Sequence, residues 1–141
     1  MTRIVLLAAI VAAGCKSGPK KSEAESNLER MGAALKAKFD KIGAFPTGRV
    51  GPTPPVTCCS QPDKTCGGDP TAWQLPLWQE VGFSVAGKHA FVYTYEGTPT
   101  GYTATATGDL DCDGTAITFT LTGASQGKTV TTAWTKPTLL D

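Results

Sequence analysis

Between residues 22 and 42 apolar side chains recur every three or four positions, at Ala24, Leu28, Met31, Leu35, Phe39 and Ile42. At 1.5 Å rise per residue that spacing predicts one helical stripe, about 31 Å long at most. Ser22 stands at the cap with Glu25 three residues on, the signature of a capping box. Glu23, Glu25 and Glu29 favour the positive end of the helix dipole, and Lys36, Lys38 and Lys41 lie toward the other. Gly43 supplies the stop, and "GAFPTG" turns the chain away.

The last third alternates with a period of two. "HAFVYTY" (89–95), "GYTATATG" (101–108), "TAITFTLTG" (115–123) and "KTVTTAW" (128–134) are rich in Thr, β-branched and aromatic residues, with glycines in the turns between them. In the third segment Ile117, Phe119 and Leu121 share one face, and Ala116, Thr118, Thr120 and Thr122 the other. A sheet with one apolar face must cover it, and the 22–42 stripe is the cover of adequate length. The expectation is therefore an α+β fold, an N-terminal amphipathic helix packed on a four-stranded antiparallel sheet.

Between these regions no period holds. Residues 50–76, including "GPTPPVTCCSQPDKTCGGDP", read as an irregular loop longer than a compact domain sustains unsupported. Covalent closure supplies the support. Cys58, Cys59, Cys66 and Cys112 are an even set, and adjacent cysteines rarely bridge one another, so Cys58 and Cys59 each choose between Cys66 and Cys112. The favoured arrangement is one local bridge and one to the C-terminal half. A four-cysteine zinc site is the rival. "TAWQLPLWQEVGF" predicts a short helical turn that drives Trp73, Leu77, Trp78 and Phe83 toward the core.

The chain has 141 residues, one domain's worth, with Gly 16 and Pro 10 marking a turn-rich globular unit. Its first residues, "MTRIVLLAAIVAAGC", combine a basic start, ten apolar residues and small residues before a cysteine, the layout of a secretory signal. Ten apolar residues cover about 15 Å of helix, roughly half a bilayer core, so the run is too short to span. "AAGC" (12–15) resembles the lipobox of bacterial lipoproteins, which implies a signal peptide over 1–14 and acylation of Cys15. Two or three acyl chains anchor stably where one does not. Residues 15–21 are then the lipidated cysteine and a basic tether, "KSGPKK", held near anionic headgroups, and 22–141 form the folded domain. Lys16 after the cysteine leans toward the outer rather than the inner membrane of the cell envelope. Export also suits disulfides at the four remaining cysteines.

Formal net charge is +1, and loss of Arg3 with the signal leaves 12 basic against 12 acidic side chains. Such a chain offers nucleic acid nothing beyond the tether lysines. His89 is the one imidazole and opens a predicted strand, so its expected role is structural and no catalytic triad is read. No C-x-x-C pair suggests thiol redox catalysis. The protein is not expected to be an enzyme.

"GDLDCDG" (108–114) sets Asp109, Asp111 and Asp113 at alternate positions followed by Gly114, the first half of a calcium loop, with the Thr115 carbonyl as a further donor. The second half departs from that pattern, because Thr120 stands where a bidentate glutamate belongs. Asp63, Asp69 or carbonyls of the cysteine loop would have to complete a Ca2+ site. The alternative is a plain acidic turn in which Asp side chains accept backbone N–H groups. Against that, no Lys or Arg lies between 101 and 127 to offset three carboxylates.

Taken together, "SEAESNLERMGAAL", "GAFP", the cysteine loop, the "VGF" segment, "FVYTYEG" and "GYTATATGDLDCDGTAITFTLTG" resemble the globular domains of type IV pilins, particularly those of myxobacteria and related deltaproteobacteria. The resemblance covers about residues 22–137 and is most specific over 102–123. It implies a non-enzymatic structural or accessory protein of a type IV pilus or type II secretion-like system, with protein partners, anchored to the membrane through lipid. Related secretion pseudopilins hold calcium in C-terminal loops, which bears on the acidic segment. The chain departs from pilins at its start, where a lipobox replaces the prepilin peptidase site and apolar rod, so ordinary polymerisation is not implied. A second reading is a surface ligand- or carbohydrate-binding lipoprotein with Trp73, Trp78 and Tyr95 as stacking rings.

Overall fold

The computed structural model describes residues 22–138. The signal segment, Cys15 and the tether lie outside the described residues. Helix α1 (Glu23–Ile42) is followed by strand β1 (Gly48–Thr53), three short 3-10 turns at Cys58–Ser60, Pro62–Lys64 and Pro70–Trp73, and helix α2 (Pro76–Val81). Strands β2 (Val92–Thr98), β3 (Gly101–Gly108), β4 (Ile117–Gln126) and β5 (Thr129–Thr135) complete the chain. No helix among the described residues is long and apolar enough to cross a membrane.

The ends of α1 follow from local chemistry. Ser22 Oγ accepts the Glu25 N–H at 3.2 Å, and Glu25 Oε2 accepts the Ser22 N–H at 3.1 Å. At the other end Gly43 takes φ 74°, and its N–H reaches the Phe39 carbonyl at 2.7 Å. Ala24, Leu28, Met31, Leu35 and Phe39 are buried, whereas Ile42 is 65% exposed, at variance with its place on the expected stripe. Ile42 is the final residue of α1, three positions past Phe39, the last of the helix's residues to be buried.

The sheet has five strands in the order β1-β2-β3-β4-β5, all neighbours antiparallel. This overturns the expected single helix laid over a four-stranded sheet. Gly48–Thr53, read as loop, joins as β1, pairing Gly48 with Gly97 and Val50 with Tyr95 before the register shifts toward Thr53. Nor is α1 the cover of the sheet. It precedes the sheet in the chain, and its neighbours in it are concentrated on β3 and β4. Over β1 and β2 lie Trp73, Trp78 and Phe83 instead: the Phe83 ring lies tilted against that of Tyr93, centroids 5.4 Å apart, and Trp78 bonds Thr53. Trp73, Trp78, Phe83 and Tyr93, with the five from α1, belong to one hydrophobic core.

Strand boundaries also move. β2 begins at Val92 rather than His89, and His89 pairs with Cys66 in an isolated bridge. β4 starts at Ile117 rather than Thr115 and extends to Gln126. Its alternation places Phe119 and Leu121 in the core and leaves Thr118 and Thr122 exposed.

Two glycines make room for tyrosines. A Cβ at Gly97 would overlap the Tyr95 hydroxyl, which donates to the Pro46 carbonyl at 2.7 Å, and a Cβ at Gly123 would enter the Tyr102 ring. Tyr93 is tied to α1 through polar atoms: Asn27 Nδ2 donates to its hydroxyl at 2.7 Å, and that hydroxyl donates to Glu23 at 3.1 Å. The Glu23 carboxylate also accepts the Ala90 N–H at 3.1 Å, which fixes the start of α1 beside the lead into β2.

Candidate functional site

Two disulfides build the end of the molecule that carries the irregular loop. Cys58–Cys66 closes the loop locally with Cα atoms 4.7 Å apart, and Cys59–Cys112 ties it to the acidic segment with Cα atoms 5.6 Å apart. Both are within the usual span for a bridge. The loop is also held by backbone: Cys66 N–H donates to the His89 carbonyl at 2.8 Å and His89 N–H to the Cys66 carbonyl at 2.9 Å. A segment without periodicity thus acquires a fixed position next to "GDLDCDG".

In that segment Asp109, Asp111 and Asp113 bring carboxylate oxygens within 4.8 Å of one another. The backbone folds around them. Asp109 accepts N–H groups from Asp113 at 3.2 Å and Gly114 at 2.9 Å, Asp111 accepts that of Asp113 at 3.0 Å, and Asp113 accepts that of Thr115 at 2.7 Å. Positive φ at Cys112 (61°) and Gly114 (97°) lets the chain curl tightly enough for this. The two acids considered as further donors are engaged elsewhere. Asp63 faces Lys88 at 3.5 Å, and Asp69 accepts the Thr71 hydroxyl and the Thr71 N–H. Those bonds hold the Asp69 carboxyl below the ordinary carboxylate range, the hydroxyl bond being the stronger cause.

The aromatic residues considered for saccharide stacking are in the interior. Trp73 is 4% exposed, and Trp78 and Tyr95 are fully buried. Rings so placed have no open face for a sugar. Trp73 instead borders a groove of about 530 Å³ whose walls include Pro54, Val56, Ala72, Val85 and His89. His89 is 4% exposed; its Nδ1 lies 3.1 Å from the Gly87 carbonyl, and its Nε2 is buried with no hydrogen-bond partner. Sequence reasoning missed this groove. The available signal was the Pro54-Pro55-Val56 run, too rigid and apolar for an ordinary solvated loop, but nothing in it pointed to Val85 and His89 as the opposite wall.

No known protein family, curated protein or solved structure matches the chain.

Proposed function

We propose that this protein is a non-enzymatic, pilin-like lipoprotein of the bacterial envelope, anchored through acylated Cys15 and serving as a structural or accessory component of a type IV pilus or type II secretion-like system. The observation that carries this reading is the pair of disulfides, Cys58–Cys66 and Cys59–Cys112, in a chain whose first fifteen residues end in "AAGC". Disulfides persist in oxidising compartments, and a lipobox-like cysteine delivers a chain to that side of a membrane. The sequence resemblance over 22–137 supplies the pilus or secretion context. Burial of Trp73, Trp78 and Tyr95 removes the ring surface on which a carbohydrate-binding role was founded.

In the same reading Asp109, Asp111 and Asp113, with the Thr115 carbonyl, hold a stabilising calcium ion, a reading that rests on their spacing as the first half of a calcium loop and on the lack of Lys or Arg over 101–127. The partners are envelope proteins and, through the anchor, the outer membrane.

Mass spectrometry of the mature protein from its native cell tests the anchor: the N-terminal peptide should begin at Cys15 with a diacylglyceryl group and an acylated amine. An unmodified amino terminus would remove the lipoprotein reading. Affinity recovery from crosslinked cells should bring down pilus or secretion components, and recovery of none would remove the assembly role.

A further inference from the structure

The two edges of the sheet are treated very differently. β1 is blunted: Pro52 has no N–H to offer, Gly51 sits at φ 98°, and the register shifts between Val50 and Thr53. These are the devices by which natural sheets prevent edge-to-edge pairing. β5 has none of them. Its seven residues, "TVTTAWT", contain no proline, glycine or charge, pair with β4 without a break from Gln126–Thr129 to Thr120–Thr135, and are exposed except for the half-buried Val130 and Trp134. Their other side carries a row of backbone groups with no strand beside it among the described residues.

We propose that β5 is a pairing edge through which two copies of this chain join, antiparallel, into one continuous ten-stranded sheet. The sequence of the strand is complementary to itself. Val130, Thr132 and Trp134 share the face of Leu121, because Trp134 stands opposite Leu121 and Thr132 opposite Gly123 on β4. An antiparallel pair centred on Thr132 sets Val130 of each copy against Trp134 of the other, an apolar pair of the kind that stabilises a sheet. A groove of about 260 Å³ between α1 and β5, bordered by Gly32, Ala33, Leu121 and Trp134, leaves space on that face for incoming side chains. The flanking residues Lys128 and Lys136 would face each other across the pair, and Glu25, which contacts the Lys136 ammonium, offsets that repulsion.

The asymmetry also sets the number of copies. A chain with two open edges could add head to tail without limit, whereas a blunted β1 leaves β5 only another β5, and a two-fold contact of that kind closes at a dimer.

The test uses the full chain in non-ionic detergent with micelles in large excess over protein. Sedimentation should give twice the chain mass, and Thr132→Lys should abolish the doubled mass while leaving far-ultraviolet circular dichroism and the melting midpoint near those of the parent. Thr132→Cys should form a disulfide-linked dimer under mild oxidation, because residues directly opposite in an antiparallel pair have Cα atoms about 4.5–5.5 Å apart. Thr122→Cys, exposed on β4 in the middle of the sheet, should not. A monomeric parent chain, a doubled mass that survives Thr132→Lys, or equal crosslinking at 132 and 122 each overturns the proposal. Should Thr132→Lys fail to fold, the comparison of the two cysteine variants decides it.

Discussion

Trp78 donates its indole N–H to the Thr53 hydroxyl at 2.8 Å, and both side chains are buried. This one bond joins α2 to the last residue of β1 and satisfies a donor that has no route to water. Thr53→Val keeps the shape and removes the acceptor, so the cost is that of an orphaned buried N–H, about 1–3 kcal/mol. Thr53→Ser retains the acceptor and should lose less. Urea denaturation of the three proteins measures the difference, and a larger loss for Ser than for Val would show that packing of the methyl group, not the hydrogen bond, is what matters there.

The same bond shows why β1 was not legible in the sequence. Arg49, Val50, Gly51 and Pro52 carry neither alternation nor a helical period, and the strand exists because β2 offers it a partner on one side and Trp78 holds its end. Helix α1 was legible because its stripe and both caps are encoded within twenty-odd consecutive residues. The lead into β2 lies between these cases. His89, Phe91, Tyr93 and Tyr95 alternate correctly into the core, yet the backbone at His89 bonds to Cys66, so side-chain period and ladder pairing begin at different residues. At the candidate site the acidic turn was readable because Asp109 to Thr115 bond one another. The groove beside His89 was not, since its walls come from segments joined only in the folded chain.

The two disulfides should differ in their contribution to stability. Cys58 and Cys66 are 8 residues apart, Cys59 and Cys112 are 53 apart, and in the chain-entropy account the longer loop restrains the unfolded state more. That account gives about 2.5 kcal/mol for the first and about 4 kcal/mol for the second. Paired Cys→Ser replacements at 58/66 and 59/112, compared by denaturant midpoint, should rank in that order. A reversed ranking would mean that the local bridge acts through the native loop rather than through the denatured chain.

Alkali should unfold this protein in step with its tyrosines. The chain has three, Tyr93, Tyr95 and Tyr102, and all are buried. Burial raises each phenol above its ordinary value, Tyr102 to about 12; the Glu23 carboxylate pushes Tyr93 further up, against the bond from Asn27. A group whose folded value is raised contributes stability that is complete below the unfolded value near 10 and is lost as pH climbs toward the folded one. Ultraviolet titration should therefore detect little phenolate at pH 10 in the folded protein, followed by ionisation of all three rings together with the loss of circular dichroism. Stepwise ionisation before unfolding would show that one or more rings reach solvent in the native state.

Calcium at the acidic loop has a thermodynamic signature distinct from that of the turn alone. A ligand bound only by the folded state adds RT ln(1 + [L]/Kd), about 2.7 kcal/mol at a hundredfold excess over Kd, so millimolar calcium should raise the melting midpoint by several degrees and chelator should reverse it. Asp113→Asn removes one carboxylate charge and retains an amide oxygen able to accept the Thr115 N–H. It should abolish the calcium response while changing the midpoint in chelator far less. If instead the three backbone N–H groups of Asp113, Gly114 and Thr115 satisfy the loop unaided, parent and variant will melt alike with calcium and with chelator, and that result would withdraw the ion while leaving the Cys59–Cys112 tether in place.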